Sequence, residues 1–221
     1  MRFLDRLAGI LKGKYYPISV FISYSTEDAP FAGIFKTKLE KCWNFNVFTA
    51  HEDLEPSSEW EREIVRHLES CEVFLPLITN NFHASRWTDQ ESGIAFAKGK
   101  IVLPICFDEL TPYGFLNRYQ AFRHPADTSE RGMGNSIRDV VSVLEKQGFS
   151  RRTLEGSIIG LENSYSFDMT RYVVKYLESR EDDITRTHYL RIKEARVKNV
   201  DVRAEVYKMP NFLARLEKRF E

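Results

Sequence analysis

What most restricts the fold of this chain is a repeated coupling of two patterns: a short β-branched apolar run, then a segment with helical spacing. Ile18-Ser19-Val20-Phe21-Ile22-Ser23-Tyr24 is the first run, and Phe31 to Trp43 follows with Phe31, Ile34, Phe35, Leu39 and Cys42 about a turn apart. Asn46-Val47-Phe48-Thr49 is a short second strand. After a polar segment, Ala50 to Ser58, comes a helix from Glu59 to Ser70, striped by Ile64, Val65 and Leu68 and opened by a possible capping box, Ser58-x-x-Glu61. Glu72–Thr79 and Lys100–Phe107 read as further buried strands, with a helix at Trp87–Lys98 between them. A long connection holding Pro112, Gly114 and Pro125 leads to a last helix at Asn135–Gln147. Apolar strands alternating with helices through short links predict a parallel sheet covered on both faces. The expected fold class is therefore α/β, a flavodoxin-like doubly wound parallel sheet over residues 17–148.

The flanks differ. In residues 1–16, Leu4, Leu7, Ala8 and Leu11 recur at helical spacing, but Asp5-Arg6 interrupts any secretory apolar stretch and no small-residue cleavage site follows. A short helix docked on the body is the simpler expectation; a membrane-surface or self-association helix is the other. Over residues 149–221, Met169, Tyr172, Val173, Tyr176 and Leu177 form one amphipathic stripe. Val200, Val202, Ala204 and Val206 alternate as a strand would, and Phe212, Leu213, Leu216 and Phe220 suggest a final helix. This segment is expected to be a small C-terminal α/β extension of unknown role.

Composition excludes more than it assigns. Lys and Arg total 32 against 32 Asp and Glu, so net charge gives no reason to expect a nucleic-acid or anionic-membrane partner. No apolar run approaches the roughly 18 residues of a membrane span. Cys42, Cys71 and Cys106 are odd in number and lack a C-x-x-C pattern, as suits reduced core residues of a cytoplasmic protein rather than a disulfide framework or zinc site. No phosphate-cradling glycine loop follows any strand, no nucleophile elbow occurs, and no two histidines stand at metal-binding spacing. His51, His83 and His124 fall in expected loops and read as solvated.

In a doubly wound sheet, ligands bind beyond the carboxyl ends of the strands where strand order reverses. For the order 2-1-3-4-5 that crevice lies between the first and third strands, which deliver Tyr24, Ser25 and Thr26 from one side and Asn80 through Glu91 from the other. Trp87 and Glu91 are four apart, on one helix face. A carboxylate beside a large aromatic plane suits a ligand with a flat ring and a developing positive charge. Thr88-x-x-Glu91 is equally a capping box that needs no ligand. Trp87, Tyr24, Phe48 and Trp60 could all simply pack. A phospho-accepting receiver would need an Asp where Thr79-Asn80 stands.

These residues also carry a likeness. Val20-Phe21-Ile22-Ser23-Tyr24-Ser25-x-x-Asp28 resembles the first signature box of TIR (Toll/interleukin-1 receptor) domains. Asp53-Leu54-x-Pro56-x-x-x-Trp60 resembles the segment entering that family's mobile loop, with Ser57 and Ser58 in place of the glycine that often follows the proline. Phe74-Leu75-x-Leu77-Ile78-Thr79, Ser85-Arg86-Trp87-x-x-x-Glu91, Val102-Leu103-Pro104-Ile105 and Phe115-Leu116-x-Arg118-x-Gln120-Ala121-Phe122 resemble the rest.

The resemblance implies one of two roles. Some TIR domains only assemble, as adaptors or scaffolds. Others, in bacterial defence, plant immunity and axon degeneration, cleave NAD+ at the nicotinamide–ribose bond, and some cyclise the product. The NAD-cleaving members carry a glutamate at the position of Glu91, four residues after a Trp. For this chain the resemblance implies NAD+ as substrate with no cofactor and no metal, and Glu91 as the catalytic residue. Tyr24, Phe48 and Trp87 would border the nicotinamide, Ser25 would lie near the phosphates, and Asp53 would belong to the site as a loop-shaping or interface residue. It also implies self-association, with the loop Ala50–Ser58 at the interface.

Overall fold

A computed structural model of the chain describes residues 14–49, 60–124 and 130–221. The expected N-terminal helix, Asp53, His51, the Ser58-x-x-Glu61 capping box and the loop Ala50–Ser58 lie outside the described residues, apart from Glu61 at the start of a helix.

The chain alternates as its patterning requires. Strand β1 (Ser19–Ser23) passes through a 3-10 turn (Thr26–Asp28) into α1 (Ala29–Trp43), which has Pro30 in its first turn and ends on Asn44 in the left-handed region, φ 51°. Then come β2 (Asn46–Thr49), α2 (Trp60–Ser70), β3 (Val73–Ile78), α3 (Asn80–Ala84) and α4 (Arg86–Ala97). The single expected strand at Lys100–Phe107 is two short ones, β4 (Ile101–Val102) and β5 (Ile105–Cys106). Pro104 sits between them and has no N–H to give a ladder. The long connection that follows holds a 3-10 turn (Gly114–Arg118) and an edge strand β6 (Phe122–Arg123), before α5 (Glu130–Leu144).

All pairings are parallel, in the order β2-β1-β3-β5-β6 with β4 also on β3. Counting β4 and β5 as one interrupted strand gives the expected 2-1-3-4-5. Strand residues alternate between two apolar clusters. Val20, Ile22, Leu75, Leu77 and Ile105 face the larger one, beneath α1 and α5. Phe21, Phe74, Ile78 and Cys106 face the smaller one, beneath α2 and α4. The three cysteines are buried free thiols, and burial pushes those of Cys71 and Cys106 up to about 11.

The C-terminal segment is helical throughout. A kink at Gln147 and Gly148, the glycine at φ 94°, joins α5 to α6 (Ser150–Glu162), followed by α7 (Phe167–Ser179), α8 (Arg186–Lys198), α9 (Val200–Ala204) and α10 (Met209–Phe220). This corrects the expected strand at Val200–Val206, and with it the α/β character of the extension. Asn199 accepts from the amides of Asp201 and Val202 and starts a helix there, with Val202 alone of the valines buried.

These helices complete the larger cluster, which runs without a break from Ile18 to Leu216. Helix α6 crosses the end of α1 backbone to backbone: a Cβ on Gly156 would lie 2.0 Å from the Trp43 carbonyl oxygen, and one on Gly160 2.5 Å from that of Cys42. Tyr172 and Tyr176 of α7 present their edges to Trp43 at 5.5 and 5.6 Å. Arg152 grips Glu72 through both terminal guanidinium nitrogens, at 2.6 and 2.9 Å, and donates to the carbonyls of Tyr16 and Pro17. Glu72 in turn accepts from the amide of Ser19 at 3.0 Å, so the extension holds the amino end of β1.

His124 departs from the expected solvated state. It is buried, with its ring 4.8 Å from Phe107 and Nδ1 2.7 Å from the Ser136 hydroxyl. Among the described residues no helix is long and apolar enough to cross a membrane.

Candidate active site

The pairing of β1 with β3 ends at Ser23 opposite Pro76. Proline cannot donate to the ladder, so the two strands part there. From that point β1 leads to α1 on one face of the sheet, and β3 leads to α3 on the other, where Phe82 is buried. This is a topological switch point of the kind at which α/β sheets hold ligands. Asp28 ties its two sides together, accepting from the Thr79 hydroxyl at 2.5 Å and from Asn81 Nδ2 at 2.9 Å. The same Thr79 oxygen caps α3 by accepting from the amide of Phe82.

Helix α4 brings the carboxylate to this crevice. Ser85 precedes it as N-cap residue, and the Thr88 hydroxyl turns back to donate to the carbonyls of Phe82 and Ser85 at 2.8 Å each. Glu91 is one turn further in, beyond reach of the helix start, which removes the capping-box reading. Its carboxylate instead meets β1: the Ser23 hydroxyl donates to Oε2 at 2.5 Å. Glu91 is only 5% exposed and makes no other hydrogen bond and no ion pair among the described residues. Burial pushes its carboxyl up to about 7, with the Ser23 bond opposing that rise. A carboxylate left without a cation in such surroundings is a functional-site signature, since a folded protein gains nothing from burying it.

Trp87, one turn before Glu91, is half-buried and meets Trp60 of α2 edge-on, ring centres 4.5 Å apart. Trp60 is thus a half-buried partner of Trp87, packed against the smaller apolar cluster. Phe48 lies on the Glu91 face of the sheet, one pleat below Ser23, since its register partner is Phe21. It is sandwiched between Phe21 at 5.2 Å and the parallel ring of His67 at 3.6 Å.

Two of the expected site residues stand apart from the carboxylate. Tyr24 follows Ser23 in the alternation, so its side chain enters the larger cluster on the opposite face. The buried Ser25 hydroxyl donates to the carboxylate of Glu27. On the outer side of α4 the Tyr113 hydroxyl donates to Asp89, and the exposed His83, on α3 rather than in a loop, rests 4.4 Å from the Tyr113 ring. Ser23 itself was legible only as the last odd position of a strand whose odd side chains share a face; nothing local joined it to Glu91.

Comparison with known proteins agrees with this architecture. The chain belongs to the TIR domain family, whose model matches residues 20–141. Among solved structures it is similar to the TIR domain of the Toll-related receptor TRR-2 from Hydra magnipapillata, at 18% identity over 60% of this chain and 96% of that one, TM-score 0.43. It is also similar to the TIR domains of the activated Roq1 resistosome that recognises the effector XopQ, at 16% identity over 73% and 98%, TM-score 0.37. A third similar structure is 2-desoxiribosyltransferase from Leishmania mexicana, at 14% identity over 42% and 66%, TM-score 0.36. No curated protein matches the chain.

Proposed function

We propose that this TIR protein is an NAD+ nucleosidase, cleaving the nicotinamide–ribose bond to give nicotinamide and ADP-ribose or a cyclic isomer, in cytoplasmic immune, anti-phage or cell-death signalling. The observation that carries the reading is Glu91: a buried carboxylate at the switch point, with the Ser23 hydroxyl and, among the described residues, no cation beside it.

Bond cleavage sends the C–N electron pair to the pyridinium nitrogen, releasing neutral nicotinamide and leaving an oxocarbenium-like ribose. A carboxylate that meets the positive charge as it moves onto the sugar stabilises the transition state more than the ground state. At about 4 Å and an effective dielectric of about 20, the attraction is on the order of 4 kcal/mol, roughly a thousandfold in rate. Water then adds to the anomeric carbon and a proton is lost, or an adenine nitrogen adds to give the cyclic product. The positively charged nicotinamide ring of NAD+ favours the ionised carboxylate, so its arrival draws the proton from Glu91. Activity limited by that ionisation falls below about pH 7 in the free enzyme. Trp87, backed edge-on by Trp60, supplies an apolar wall for the nicotinamide.

A single copy leaves Glu91 only 5% exposed, and this favours a second copy opening or completing the site through the loop Ala50–Ser58. The test incubates the full chain with NAD+ over a wide range of protein concentration and measures nicotinamide release. Turnover rising steeply with concentration, and lost about a thousandfold in Glu91→Gln and Glu91→Ala, supports the reading. Undiminished turnover in Glu91→Gln overturns the catalytic assignment. No turnover by the wild type at any concentration leaves the other TIR role, a scaffold that recruits further TIR domains.

A further inference from the structure

We propose that Ser23 is the positioning residue of this site, its hydroxyl fixing the Glu91 carboxylate at the carboxyl end of β1. The inference rests on the nucleosidase reading for its meaning in catalysis, while the contact itself can be tested without turnover.

Three features of the fold single out this serine. It is 1% exposed, so its hydroxyl has no water to bond and must be satisfied within the protein. It ends β1 opposite Pro76, where the β1–β3 ladder stops, so its side chain borders the opening between strands and not the sheet interior. It lies 68 residues from Glu91 in sequence, and the 2.5 Å bond to Oε2 joins the central strand to the helix that carries the acid. A Ser at this position can only donate to a carboxylate; it cannot neutralise it. Glu91 is therefore held at one oxygen, with the other left for the ligand.

The charged groups around α4 do not perform this task. Among the described residues, Glu63 and His67 of α2, His83 of α3, Arg118 of the 3-10 turn packed on α4, Asp89 of α4 itself and Asp28 beyond β1 are not among the causes that shift the Glu91 ionisation, and β1 and β3 carry no charged side chain. Burial raises that ionisation and the Ser23 hydroxyl lowers it. Loss of the hydroxyl is thus felt directly by the carboxylate.

The experiment follows the Glu91 carboxyl 13C resonance, assigned by its absence in Glu91→Gln, between about pH 4 and about pH 10, alongside nicotinamide release. Ser23→Ala is expected to move the Glu91 midpoint up by about one pH unit. The matching kinetic change is a drop in kcat/KM of about fivefold at pH 7, with the acid limb of its pH profile displaced by the same unit. Ser23→Thr, which keeps a hydroxyl, restores both. Ser23→Cys, a weak donor, falls between and replaces the alanine variant if that one does not fold. A Glu91 midpoint unmoved in both Ala and Cys variants overturns the positioning role, whatever the activity. A displaced midpoint with no NAD+ cleavage even by the wild type upholds the Ser23–Glu91 coupling and removes the nucleosidase reading instead.

Discussion

The two faces of the sheet are built to different ends. On the face of Val20, Ile22 and Leu75, α1 and α5 are themselves covered by the C-terminal helices, and one apolar cluster extends to Leu216. On the face of Phe21, Phe74 and Ile78, α2 and α4 form a thinner layer over a smaller cluster. That thinner layer holds the buried carboxylate and the half-buried Trp pair. An uncompensated charge is tolerated because stability is supplied across the sheet, the separation expected where a functional site opposes folding.

The comparison can be broken hardest at Gly156. A methyl group there meets the Trp43 carbonyl at 2.0 Å, backbone against backbone, so no side chain can yield. Gly156→Ala should lower stability by about 4 kcal/mol, seen as a fall in Tm of about 10 °C in thermal unfolding. A change of a degree or two would mean that α6 can lift from α1 freely. On the opposite face the sign reverses. The Glu91 carboxyl lies at about 7 in the folded chain and near 4.5 in the unfolded one. The folded state therefore holds the proton more tightly, and stability is lost as pH rises from about 4.5 through about 7. Glu91→Gln should match the wild type near pH 4 and exceed it by about 3 kcal/mol near pH 9, by urea midpoints. An equal gain at both would show that shape, not charge, burdens this face. The smallest effect belongs to the clamp at the bottom of the sheet. Arg152→Met takes the Arg152 guanidinium away from the partly buried Glu72, for a loss of about 2 kcal/mol in urea unfolding.

How much of this was readable from residues alone depended on range. Strands β1, β2 and β3 and helices α1, α4, α7 and α10 were evident because each carries its own apolar pattern. Strand β6 was not, since two residues at an edge, Phe122 and Arg123, show no period. The alternation of Val200 to Val206 misled because a five-residue helix capped by Asn199 needs only one buried valine. At the site, the spacing of Trp87 and Glu91 correctly placed both on α4. Whether Glu91 capped a helix or faced a crevice turned on where α4 begins, and Thr88 proved to be inside it with its hydroxyl bonded backward. Tyr24 and Ser23 are neighbours in sequence with opposite fates, decided by strand parity and by a helix 68 residues away.

The seamless larger cluster has a practical corollary. Trimming the chain to the stretch that matches its family, residues 20–141, would remove Leu154, Ile158, Leu161, Val173 and Leu177 from the outer surface of α1 and leave Trp43 facing water. Such a bare surface is adhesive. Any aggregate formed by that fragment would record the cut edge, and assembly of this protein is to be measured with its last 80 residues in place.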